Sequence, residues 1–101
     1  MRIIALFNLK QGARRGDYES WAKGRDIPTT TALPSVSNFE ILRTRSVLFS
    51  EAKPPFDYVE IIDASSMAAL KDDLGGDAVA ALKREMAAFT EDPIFIVTEK
   101  V

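Results

Sequence analysis

Hydrophobic and polar positions divide the chain into six stretches. "RIIALFNL" near the N-terminus is apolar on both parities, as expected of a strand covered on both faces. In "KQGARRGDYESWAKGRD", Tyr18, Trp21, Ala22 and Arg25 recur at i, i+3, i+4 and i+7, which predicts a helix with Asp17 placed to cap it. Gly24 and Pro28 make that helix short or broken. "VSNFEILRTRSVL" alternates, with Phe39, Ile41, Arg43, Arg45 and Val47 on one parity, and predicts a second strand. After the turn "SEAKPP" comes a third strand, "FDYVEIIDA". "SSMAALKDDLGGDAVAALKREMAAFTED" is helical, with stripes Met67/Leu70/Leu74 and Val79/Leu82/Met86/Phe89. Gly75-Gly76 parts the two stripes, and Asp77 can cap the second part. "PIFIVTEKV" is the fourth strand.

The order is βαββαβ. Two βα units around a hairpin make an α+β, ferredoxin-like domain spanning residues 1–101, a four-stranded antiparallel sheet with both helices on one face. If the hairpin is centred near Glu51–Ala52, Glu60 lies opposite Arg43 and Tyr58 opposite Arg45. Strands one, three and four are apolar on both parities, so the helix-free face also needs a cover. A second copy of the same sheet is the simplest one, giving a dimeric α/β barrel with Ile96 as a candidate seam residue.

Composition narrows the chemistry. Charged residues make up 28% of the 101 positions with a net charge of −2, which leaves no electrostatic footprint for nucleic acid. No apolar run approaches the ~20 residues needed to span a bilayer, and the N-terminal apolar stretch reads as a strand rather than a signal peptide. The expectation is a cytoplasmic protein without membrane association. There is no cysteine and no histidine, so thiolate chemistry is excluded and the commonest metal ligand is missing. No metal site and no cofactor are expected, and carboxylates must carry much of any chemistry.

Several segments together resemble a known family: "LFNLKQG", the Tyr18-x-x-Trp21 pair, "DIPT", "ALPSVSNFEILR", "DYVEIIDASSMAAL" and "FTEDPIFIVTE". The resemblance is to the REDY-like HapK family, small proteins named from prodiginine pigment gene clusters. That family resembles the dimeric α/β-barrel superfamily, which includes EthD-type proteins, cofactor-free quinone-forming monooxygenases, polyketide cyclases and muconolactone isomerases. The resemblance implies a homodimer with a pocket for a small aromatic metabolite in each subunit. It implies either a cofactor-free condensation, cyclisation or oxidation, or a non-catalytic carrier with the same pocket.

Asp26 is the candidate catalytic residue. Beside Trp21 in a cleft, an apolar wall would raise its pKa and suit it to proton transfer. The competing reading makes it the cap of a new turn at Ile27-Pro28, and capping is the commoner role. EthD-type proteins carry a histidine near this point and this chain has none, which weighs further toward the cap. Trp21 is a core residue that can also form an aromatic ligand wall. Asn8, polar within an apolar strand, either completes a sheet end or points into the cleft. Arg43 and Tyr58 are the remaining candidate ligand contacts. The plainer reading pairs Arg43 with Glu60 and Arg45 with Tyr58 across the hairpin.

Overall fold

A computed structural model describes all 101 residues. Strand β1 (Arg2–Leu9) leads into α1 (Arg15–Trp21), a π-helical turn (Ala22–Asp26) and α2 (Ile27–Thr31). Then follow β2 (Val36–Arg43), β3 (Tyr58–Ala64), α3 (Met67–Leu74), α4 (Asp77–Ala87) and β4 (Thr90–Thr98). The strands form one antiparallel sheet in the order β2-β3-β1-β4, the ferredoxin-like arrangement that the sequence order predicts.

The first helix departs from expectation. Gly24 and Pro28 do not break it; the backbone stays right-handed helical at Trp21, Ala22, Asp26 and Ile27. Proline lacks the N–H that an uninterrupted α-helix would use, and the ladder adapts one residue earlier, where the Ile27 N–H reaches back five residues to the Ala22 carbonyl. The widened turn keeps Asp26 in mid-helix. Asp17 lies in the first turn of α1, but no side chain caps that helix at Arg14. Asp77 likewise is the first residue of α4 rather than its cap, the N-cap being Gly76. Ser66 does cap α3, accepting from the Ala69 N–H at 3.1 Å.

Alternation along the strands separates two faces. Ile3, Ala5 and Phe7 of β1 are buried against the helices, as are Tyr58, Glu60 and Ala64 of β3. The opposite parity places Ile4, Leu6, Leu42, Val59, Ile61, Ile94 and Ile96 on the helix-free face, paired in register across the sheet. Ile94 to Val97 on edge strand β4 are 43–57% exposed, so both faces of that strand present apolar surface.

The hairpin register is offset by two residues from the expected one: Ile41 pairs with Glu60, and Arg43 with Tyr58. Strand β2 ends at Arg43, so Arg45 and Val47 lie in the connecting loop rather than in the ladder. Asn8 helps fix the far end of that loop. Its amide donates to the Pro55 carbonyl at 3.2 Å, and its side-chain oxygen accepts from the Asp57 N–H at 2.9 Å. Thr44 Oγ1 holds the near end, donating to the Phe56 carbonyl at 2.6 Å. A shift of two preserves facing from Asn38 to Arg43 while the partners change; a bulge between Val36 and Asn38 brings Val36 opposite Ala64, on the helix side.

Candidate functional site

Between helices and sheet the apolar packing divides in two. At one end Phe7, Tyr18, Ala22 and Tyr58 form a closed cluster, joined by Trp21, Met86 and Phe89. Its rings interlock: Tyr18 and Tyr58 lie 4.7 Å apart, Phe7 stacks on Tyr58 at 5.5 Å, and Phe89 meets Tyr18 edge-on at 6.0 Å. At the other end Ile3, Ala64 and Leu70 are aliphatic and thinner, with Val36 and Ile62 alongside. A cavity of about 380 Å³ opens there, within the size range of small-molecule sites.

Twelve of its sixteen lining residues are hydrophobic; the exceptions are Asp26, Thr30, Glu60 and Lys83. Two carboxyls therefore enter one apolar cavity from opposite layers, Asp26 from the helical side and Glu60 from the sheet. Both are buried, at 6% and 3% exposure.

Asp26 is not a cap. Its backbone is helical, its carboxylate accepts no capping N–H, and its hydrogen bond comes from the Thr30 hydroxyl one turn on, at 3.1 Å. Burial pushes its pKa up to about 6, with the Thr30 bond opposing and the nearby Glu85 charge adding to the rise. Glu60 is more extreme. Burial, then the charge of Asp26, pushes it up to about 8, and its Oε1 has no hydrogen-bond partner in the protein. Asp26 ionises first, while Glu60 is still neutral, so only the second ionisation is opposed by the first. At neutral pH the pair holds one proton: an acid and a base in the same apolar cavity.

Tyr18 stands behind the pair. Its hydroxyl is buried without a partner, and burial together with the Glu60 and Asp26 charges raises its pKa far above the usual phenol value. Trp21 lines the cavity while its indole N–H donates to Glu85 Oε1 at 2.9 Å, so it is both wall and rim. Arg25 completes the rim, reaching both Glu85 oxygens at 2.8 and 2.9 Å. These contacts hold Glu85 down at about 2, ionised and fully engaged.

The remaining expected contacts lie elsewhere. Arg43 does not meet Glu60; the register offset carries it to Tyr58, and its guanidinium forks onto Glu19. The Tyr58 hydroxyl donates to the same Glu19 carboxylate at 2.7 Å. Arg43 and Tyr58 border a second, more open hollow at the aromatic end, with their polar atoms already paired within the fold. Asn8 is spent on the β2–β3 loop and does not point into the cavity. Glu60 is the site residue that sequence reasoning missed. On a strand expected to be covered on both faces, a glutamate must be buried whichever way it points, and that signal was available.

The fold and the pocket define a ferredoxin-like α+β protein with a hollow between its helices and sheet. The whole chain, residues 1–101, matches the profile of the family described as REDY-like protein HapK, and it belongs to that family. Similar solved structures include HapK from Hahella chejuensis, at 25% identity over 100% of this chain and 95% of that one, with a TM-score of 0.77. SnoaB, a cofactor-independent oxygenase from Streptomyces nogalater, is 14% identical over 99% and 93% of the two chains, with a TM-score of 0.74. A dimeric ferredoxin-like protein from Thermobifida fusca is 16% identical over 94% and 85%, with a TM-score of 0.73. No curated protein matches the sequence. No helix is long and apolar enough to cross a membrane.

Proposed function

We propose that this protein is a homodimeric enzyme of secondary metabolism that binds a small, largely aromatic molecule and moves protons on it without a cofactor. The observation that carries this reading is the Asp26–Glu60 pair. Two buried carboxyls, one protonated and one ionised at neutral pH, can withdraw a proton at one position of a bound molecule and return it at another, the elementary step of a condensation or cyclisation. The apolar walls hold a flat ligand and keep water from competing for the proton. Asp26 is the base, Glu60 the acid, and Trp21 a wall. Similarity to a cofactor-independent oxygenase is consistent with a pocket that works through its own side chains.

Dimerisation is supported by the apolar helix-free face and by a fold neighbour described as dimeric. Ile96→Lys puts a charge on that face and should convert a sedimenting dimer to monomer or unfolded chain. Turnover is tested with purified protein against a panel of aromatic pathway intermediates. Asp26→Asn and Glu60→Gln should each lower turnover by about 10²–10⁴ while binding persists. Saturable binding with no product from any intermediate would favour the carrier reading, which the chain's lack of histidine and cysteine also suits.

A further inference from the structure

We infer that the cavity selects a ligand carrying a nitrogen cation, an aromatic amidine, iminium or protonated heterocycle whose N–H groups sit between Asp26 and Glu60. This rests on the pocket reading above and specifies what the pocket takes.

The polar inventory of the cavity is lopsided. Asp26 and Glu60 offer four carboxyl oxygens, and the Thr30 hydroxyl already donates its hydrogen bond to Asp26. The one hydrogen available for donation from the pair is the carboxyl proton of Glu60. A ligand carboxylate or phosphate entering there would meet like charge with no buried cation to offset it. A carbonyl ligand could accept one hydrogen bond and would leave the Asp26 carboxylate unanswered. An N–H donor meets an acceptor in every protonation state of the pair, and a cation also supplies the counter-charge that the fold withholds. The orphaned Glu60 Oε1, on a residue 3% exposed and lining the cavity, marks where that donor goes.

The surrounding charges leave this assignment intact. From α4, Lys83 lines the cavity at its exposed edge. Glu85, also on α4, is engaged by Arg25 and Trp21. From α1, Glu19 is taken by Arg43 and by Tyr58 of β3, and the Tyr18 phenol stays neutral behind the pair. No cation other than Lys83 lines the cavity.

Three isosteric probes separate the possibilities: 2-naphthamidine, 2-naphthamide and 2-naphthoate, titrated calorimetrically into the full-length protein. At pH 8 the amidinium should bind at least about tenfold more tightly than the amide, and the naphthoate most weakly. The amidinium keeps its charge across this range, so its affinity should rise at least about tenfold from pH 6 to pH 8 as the second carboxyl gives up its proton. Glu60→Gln should retain naphthamide binding, keep only the part of the amidinium preference that ionised Asp26 supplies, and lose most of the rise in amidinium affinity between pH 6 and pH 8. If all three bind equally, or naphthoate binds best, the cationic assignment is overturned while the aromatic pocket stands. If none binds, the pocket reading itself fails and the assignment falls with it.

Discussion

Two carboxylates on the helical side of the sheet meet opposite fates. Glu19, at the aromatic end, accepts from both the Arg43 guanidinium and the Tyr58 hydroxyl, and those bonds hold its pKa down at about 2. Glu60, two residues beyond Tyr58 on β3, has an oxygen with no partner and is pushed up to about 8. The packing around each follows the same division, interlocked rings beside Glu19 and a 380 Å³ cavity beside Glu60. Where a carboxylate is saturated by its own neighbours, as Glu19 is, the fold is completing itself. Where a buried acid is left unanswered and the space beside it is empty of side chains, stability has been given up for something else.

Truncating side chains at the two ends should sharpen the contrast most. Phe7→Ala removes a fully buried ring from the packed cluster and should cost about 3–5 kcal/mol in denaturant unfolding. Leu70→Ala, in a wall already bordering a void, should fall near the lower end of its class, about 2 kcal/mol. Equal losses would mean that the cavity walls are packed as tightly as the aromatic cluster.

The carboxylates themselves should respond with opposite signs. Glu60→Leu fills the site with an apolar group and removes an unsatisfied acid, so it should stabilise the protein by about 1–3 kcal/mol at pH 8. Glu19→Leu strands the Tyr58 hydroxyl and releases Arg43, and should destabilise by about 1 kcal/mol. A destabilising Glu60→Leu would show that the acid serves the fold.

Acidity should divide the same way. Glu60 and Asp26 have folded pKa values of about 8 and 6, above their unfolded values of 4.5 and 3.8. The folded state therefore holds more protons than the unfolded one, and stability falls as pH rises from about 4 to 8. Glu19 and Glu85 are depressed from 4.5 to about 2, so the stability they contribute is present above pH 4.5 and lost as pH falls toward 2. Tm should accordingly peak near pH 4.5 and decline on both sides. Glu60→Gln should shrink the alkaline limb to the share that Asp26 carries up to about pH 6 and leave the acid limb unchanged.

Asp26→Ala should give the smallest change. With no capping bond to lose, it should cost less than the ~1 kcal/mol that a helix cap is worth, and the loss of a buried charge can offset even that. A full cap-sized loss would restore the structural role for Asp26.

Much of the fold was legible because it rests on period and punctuation. Two-sided apolar strands, a Gly75-Gly76 break and a proline-bearing turn suffice for βαββαβ, but a strand apolar on both parities does not say which one faces a partner, and Ile96 is placed on the helix-free face by its pairing with Ile4. The site was less legible because it depends on register and on one irregular turn. A hairpin centre misplaced by one residue gave Glu60 a false partner in Arg43 and so disguised an unpaired acid as an ion pair. Pro28 read as a helix boundary, since sequence signals do not distinguish a break from a π-turn that absorbs the missing N–H. That turn makes Asp26 a buried mid-helix residue instead of a cap.

Titration of the glutamate side-chain carboxyl carbons by ¹³C NMR bears most directly on the difference between the two ends. If Glu60 is the unanswered acid of a working pair, its resonance should move through a midpoint near pH 8 while Glu19 titrates near pH 2 in the same sample. Glu60→Gln should remove the high midpoint and confirm the assignment. A Glu60 that titrates near 4.5, beside its neighbours, would contradict a proton-holding pair at the cavity.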